Sequence, residues 1–238
     1  MSLEVYEGKE RLAEAAARFF VERAQRAIGD SGRFAVALAG GSTPQRAYEL
    51  LADTHRDDVD WDRVHVFFGD ERGVPPDHED SNYFMAQEAL LSRVPVGSVH
   101  RMRGEMKPRE AAALYEKELE EFFSGPPGLD LVLLGMGEDG HTASLFPRTP
   151  ALDARDRWAV ENPVEKLSTV RLTLTVPTIN AARTVVFLIA GEGKAEALRK
   201  ILEGDADPRD YPAKFVQPTS GPIWLVDEAA AGLLREAP

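Results

Sequence analysis

With 238 residues, 43% of them hydrophobic, the chain is long enough to bury a substantial core, as one large α/β domain or two small ones. A formal net charge of -12 and a pI near 5.0 oppose a phosphate-backbone binder, which needs a basic face, so nucleic acid is not an expected partner. The absence of cysteine removes disulfides, thiolate zinc ligands and cysteine nucleophiles from consideration.

The stretch MSLEVYEGKERLAEAAARFF carries charges where a secretory signal would need an apolar centre, and no later run approaches the ~20 apolar residues of a membrane span. The expectation is a soluble, cytoplasmic protein with no membrane partner. From Lys9 to Ile28, Leu12, Ala16, Phe19, Phe20, Ala24 and Ala27 line one helical face. RFAVALA (33–39) then reads as a buried strand, GGSTP as a tight loop and PQRAYELLA as a helix. The alternation recurs. VHVFFGD (64–70) leads through ERGVPPDHEDSN to the helical YFMAQEALL, and SVHRM (98–102) leads to PREAAALYEKELEEFF. LDLVLLGMG (129–137), STVRLTLTV (168–176) with PTINAAR, TVVFLIA (184–190) with GKAEALRKIL, and PIWLVD with EAAAGLL complete the series.

Near-continuous apolar strands alternating with helices predict an α/β fold. The expected form is a mostly parallel, doubly wound, Rossmann-like sheet with helices on both faces. No internal repeat aligns and no long linker interrupts the chain, so residues 1–238 read as a single domain, looser from about Pro147 to Asn162. Ligands of such sheets bind beyond the carboxyl ends of the strands. Four loops lie there: GGSTP, GDER, GMGEDGHTAS and GEGK.

Gly135, Gly137 and Gly140 form a literal G-x-G-x-x-G, with Glu161 about twenty residues on, where a ribose ligand would be sought. A dinucleotide site, however, needs a helix after the third glycine, and Pro147 and Pro150 arrive too soon. Glu138 and Asp139 would also face the phosphates. The glycines fit better a turn that presents Asp139 and His141, a carboxylate beside an imidazole whose orientation and basicity it can set. Capping of a short TASLF helix by His141 is the plain alternative.

In GGSTP, Thr43 as N-cap and Pro44 at the first helical position suit an ordinary helix start, but paired glycines also leave N–H groups free for an anion. Lys194 falls in the first turn of its helix, where the macrodipole disfavours a cation by up to ~1 kcal/mol. A bound anion would remove that penalty, as would pairing with Glu192 or Glu196. Arg171, inside a strand, calls for a specific partner. Asp70, Glu71 and Arg72 are either a solvated ion cluster or part of a site. His55, His65, His78 and His100 show no ligand spacing, so no metal is expected.

Together VALAGGSTPQRAYELLA, VHVFFGDERGVPPDHEDSN, LVLLGMGEDGHTASLFP, VRLTLTVPTINAAR and FLIAGEGKAEALRKIL resemble the 6-phosphogluconolactonase family, in family order and over nearly the whole chain. The resemblance implies hydrolysis of a small-molecule sugar-phosphate lactone in the pentose phosphate pathway, with no cofactor. It implies His141 as general base with Asp139 beside it, Asp70 and Arg72 in the active-site loop, and Gly40, Gly41, Ser42, Thr43, Arg171 and Lys194 on the phosphate or sugar hydroxyls. Glucosamine-6-phosphate deaminases/isomerases share the loop set but rely on a carboxylate a few residues beyond the histidine, where this chain has SLFP and Phe146. A sugar-phosphate sensor would need a basic helix-turn-helix segment, and no segment is both basic and long enough. Core and interface apolar faces read alike, so the sequence assigns no oligomeric state.

Overall fold

The computed structural model describes residues 2–235; Met1 and residues 236–238, the ends of the predicted 1–238 domain, lie outside the described residues. In chain order the elements are β1 (Ser2–Tyr6), α1 (Gly8–Ser31), β2 (Phe34–Leu38), α2 (Ser42–Thr54), β3 (Val64–Phe68), β4 (Asp70–Arg72), α3 (Asn82–Ala86, continued by a π turn over Gln87–Leu91), β5 (Ser98–Val99) and α4 (Pro108–Phe123). They continue with β6 (Leu131–Leu134), β7 (Ala159–Val164), β8 (Thr169–Leu174), α5 (Val176–Asn180), β9 (Val185–Ile189), α6 (Ala195–Leu202), β10 (Ile223–Asp227) and α7 (Glu228–Ala231).

Seven strands form a sheet in the order β1-β10-β9-β6-β2-β3-β5, all pairs parallel. Alternation of side chains sorts its residues into two cores. Phe34, Val36 and Leu38 of β2, with Leu131 and Leu133 of β6, join the apolar stripes of α1 and α2 on one face. Ala35, Ala37, Val132 and Leu134 of the same strands join α4, α5 and α6 on the other. Such two-sided burial requires the continuous apolar runs seen in the sequence. Helix α1 buries Leu12, Ala13, Ala16, Ala17, Phe20 and Ala24, and stops at left-handed Gly32, whose N–H donates to the Ile28 carbonyl at 2.8 Å. No helix of the described residues is long and apolar enough to cross a membrane.

Three strands belong elsewhere. β4, β8 and β7 make a separate antiparallel sheet, so the segment 168–176, expected in the parallel alternation, leaves it. Its alternation of Leu172 and Leu174 with threonines is a period-2 pattern, not the unbroken apolar run of the parallel strands. The supposedly loose stretch from Pro147 to Asn162 holds a 3₁₀ turn over Pro150–Asp153 and most of β7. Gly69 joins the two sheets: its N–H donates to the Leu38 carbonyl of β2 at 2.9 Å, and its carbonyl accepts from Leu174 of β8 at 2.8 Å. The run VHVFFGDER therefore changes sheets at Gly69, which carries Asp70 and Arg72 to the carboxyl end of the parallel strands.

Candidate active site

β2 and β6 are neighbours, and the chain proceeds from them in opposite directions, to β3 and β5 on one side and to β9 and β10 on the other. Loops leaving two such strands diverge and open a crevice. A hollow of about 280 Å³ lies there, lined by Gly40 to Pro44, Asp70, Arg72, Asn82, Gly135 to Gly137, His141, Ala143 and Lys194 among others. A second hollow of about 520 Å³ shares Asp70, Arg72, His141 and Lys194 and adds Asp139, Phe146, Lys166 and Arg171. Every site residue predicted from the sequence lines one hollow or the other.

The loops after β2 and β9 have the same local form. Gly41 (φ 103°, ψ 164°) precedes α2, and Gly191 (φ 98°, ψ 145°) precedes a 3₁₀ turn over Glu192–Lys194 that runs into α6. That backbone region is essentially closed to residues with a Cβ. The N–H groups of Gly41, Ser42 and Thr43 find no acceptor among the described residues. Helix α2 begins at Ser42 behind Gly41, so Thr43 lies inside the first turn and is not its N-cap. Lys194 has no carboxylate partner among the described residues, since Glu196 pairs with Lys200 at 2.7 Å. Its placement by a helix start therefore keeps its penalty unless an anion arrives.

The loop after β6 is built differently. Gly137 N–H donates to the His141 carbonyl at 2.9 Å, and Gly140 N–H to the Gly137 carbonyl at 3.0 Å, closing a tight turn. No helix comes after it; Thr142 and Leu145 form an isolated bridge, so His141 caps nothing and no N-terminus faces a pyrophosphate. A Cβ on residue 137 would lie 2.1 Å from His141 Nδ1, which makes glycine a condition of the imidazole's position. Nδ1 is 2.5 Å from Asp139 Oδ1. An ionised carboxylate only accepts, so Nδ1 carries the proton of this bond, and a neutral ring in this tautomer offers Nε2 as its acceptor. Asp139 also accepts from Lys166 through Oδ2. Burial works to raise the Asp139 carboxyl, but the bonds from His141 and Lys166 outweigh it and hold the group well below the ordinary carboxylate range. Phe146 stacks on the imidazole, with ring centres 4.1 Å apart.

Along β4, alternation divides the three charged residues. Asp70 and Arg72 line the hollows, whereas Glu71 is 2% exposed and accepts from the N–H groups of Arg72, Asn82 and Tyr83 and from Ser81 Oγ at 2.7–3.0 Å. Burial pushes the Glu71 carboxyl up against these donors. Its task is to tie β4 to the start of α3. Asp70 is fixed by Ser144 Oγ at 2.6 Å and Asn82 Nδ2 at 3.3 Å. Arg72 stands directly opposite Arg171 in the β4–β8 register, and the Nε atom of each is buried without a partner. Burial, and then the charge of Arg72, hold the Arg171 guanidinium below its ordinary value. Facing like charges with orphaned donors are costly. An anion between them would remove both costs. No group of three or more histidine or acidic side chains arranged for a metal occurs among the described residues.

Ser144, Asn82 and Lys166 carry no signal in the sequence that marks them for the site. Their partners lie 74, 12 and 27 positions away, so only the fold reveals the contacts.

A family model described as glucosamine-6-phosphate isomerases/6-phosphogluconolactonase matches residues 7–225. A 6-phosphogluconolactonase of Synechocystis sp. is 45% identical, over 98% of this chain and 98% of its own length. A human 6-phosphogluconolactonase is 41% identical, over 98% of this chain and 93% of its own. The solved structure of the 6-phosphogluconolactonase from Trypanosoma cruzi covers 99% of this chain and 97% of its own, with a TM-score of 0.87 at 29% identity.

Proposed function

The chain belongs to the glucosamine-6-phosphate isomerase/6-phosphogluconolactonase family, and from that premise we propose that it hydrolyses 6-phosphoglucono-1,5-lactone to 6-phosphogluconate, with His141 as general base. The observation that carries the reading is the Asp139–His141 pair, set in hollows whose cations Arg72, Arg171 and Lys194 lack carboxylate partners among the described residues.

A δ-lactone is an activated ester, so water can attack C1 directly. Nε2 of His141 takes a proton from that water as its oxygen bonds to C1, and the carbonyl π electrons move onto oxygen. Collapse of the tetrahedral intermediate breaks the bond between C1 and the ring oxygen, which receives the proton back from Nε2. Asp139 holds Nδ1–H throughout and stabilises the imidazolium between the two transfers. Arg72 supplies a donor to the developing oxyanion. The free N–H groups of Gly41, Ser42 and Thr43, with Gly40 beside them, receive the phosphate or sugar hydroxyls together with Lys194 and Arg171. Asp70, locked by Ser144 and Asn82, orients the loop and accepts from a sugar hydroxyl. Both sheets act as one catalytic unit, because the site takes residues from each. The step needs only water and side chains.

The reading is tested by following 6-phosphogluconate from freshly prepared lactone through a coupled dehydrogenase, with spontaneous hydrolysis subtracted. Acceleration over background is expected, with no turnover of glucosamine 6-phosphate. The apolar ring of Phe146 on the imidazole, where an isomerase would want a carboxylate, supports that second expectation. Turnover of glucosamine 6-phosphate with no effect on the lactone would overturn the proposal.

A further inference from the structure

Lys166 belongs to none of the four strand-end loops, yet it reaches the pair at the centre of the site. It sits in the 3₁₀ turn Glu165–Leu167 at the tip of the β7–β8 hairpin, a turn closed by the Ser168 N–H on the Glu165 carbonyl at 2.9 Å and by left-handed Ser168 (φ 49°). From there Nζ bonds Asp139 Oδ2 and lies 4.9 Å from the centre of the Phe146 ring. Those are the two groups that bracket the imidazole, one at Nδ1 and one on its face. Half of the Lys166 side chain is exposed, and an ion pair so placed adds little to stability. Stability therefore does not explain a lysine held there.

We propose that Lys166 is a positioning residue for the hydrolytic base: clamped on the outer oxygen of Asp139, it fixes that carboxylate against His141 and sets the pH at which the imidazole works. The proposal rests on the reading of His141 as base. An aspartate alone beside an imidazole favours the imidazolium, which cannot accept a proton. A second cation on the same aspartate cancels part of that field. The other charged groups of this hollow are Asp70, Arg72, Glu138, Arg171 and Lys194, and they are common to every variant compared below.

The experiment is the pH profile of kcat/KM for Lys166→Met and Lys166→Arg, paired with a nitrogen-15 NMR titration of the imidazoles in the free protein. The His141 signal is assigned by its absence in His141→Ala. In Lys166→Met the acid limb should rise by about one pH unit, so the loss at pH 6 exceeds that at pH 9 by about tenfold, and the His141 titration should move by the same amount. Lys166→Arg should restore both, and added salt should shrink the shift. A loss by one factor at every pH, or a raised KM with an unmoved limb, would mark a structural or substrate-binding lysine and overturn the proposal. An unmoved imidazole titration with an inactive His141→Ala overturns the role of Lys166 alone. Full activity in His141→Ala removes the base reading, and this proposal with it.

Discussion

The loop after β6 and the loops after β2 and β9 are all rich in glycine, but they use it in opposite ways. The β6 loop carries the literal dinucleotide spacing at Gly135, Gly137 and Gly140, and no helix comes after it. Its Gly137 makes room for the His141 imidazole. The β2 and β9 loops lack the spacing, yet each turns through a glycine at φ near 100° into a helix start. The β2 turn leaves the N–H groups of Gly41, Ser42 and Thr43 without acceptors among the described residues, and the β9 turn places the Lys194 side chain at the same hollow. The segment after the glycines, rather than their count, decides whether a loop offers N–H groups or presents a side chain.

That contrast can be broken from either side. The largest effect is expected for His141→Ala, with kcat about 10³-fold lower if the loop exists to present a base. An unchanged circular dichroism spectrum and urea midpoint would confine the loss to chemistry, while retained turnover would end the side-chain reading of this loop. Next comes Gly137→Ala. The new methyl must displace the imidazole it would meet at 2.1 Å, and a shift of about 1 Å costs ~10²-fold in kcat with KM little altered. Equal rates in this variant would show that the imidazole position is not critical. At the helix starts, Lys194→Ala should raise KM for the phosphorylated lactone by about tenfold to a hundredfold, the worth of one charge-assisted bond, and leave plain gluconolactone nearly untouched. Matching effects on both substrates would place Lys194 away from the phosphate.

Much of this contrast is already visible in the chain, and the part that is not has a physical cause. β2, β6 and β9 are buried on both faces and stand out as unbroken apolar runs. β1 pairs at the edge of the large sheet and reads Ser-Leu-Glu-Val-Tyr, half-exposed and with no unbroken apolar run, so it does not stand out beside a long helix. β8 is visible as a strand, but its antiparallel pairing with β7 is not, because Leu172, Thr173 and Leu174 are all buried and the strand sits among segments that alternate with helices. In the site, motif residues within one loop are legible together, as Asp139 and His141 are. Lys166, Ser144 and Asn82 acquire meaning only when separate loops converge. Of the charged trio on β4, alternation alone separates Glu71, which faces the start of α3, from Asp70 and Arg72.

A smaller prediction concerns acid. The β6 loop relies on ionised partners, whereas the β2 loop relies on N–H groups that do not titrate, so only the former ties stability to pH. In the folded protein, Asp139 is held below its unfolded value because the bonds from His141 and Lys166 outweigh burial. A carboxylate depressed in this way stabilises the fold fully above the unfolded value of about 4, and that contribution is lost as pH falls through the folded value. Asp139→Asn removes the titration. Its urea midpoint should therefore fall less steeply than the parent's as pH drops below about 4, with both proteins sharing the slopes due to their other carboxylates. Parallel curves across that range would mean that Asp139 gains nothing from its two partners on folding, and that the pair at the centre of the β6 loop is assembled only when substrate arrives.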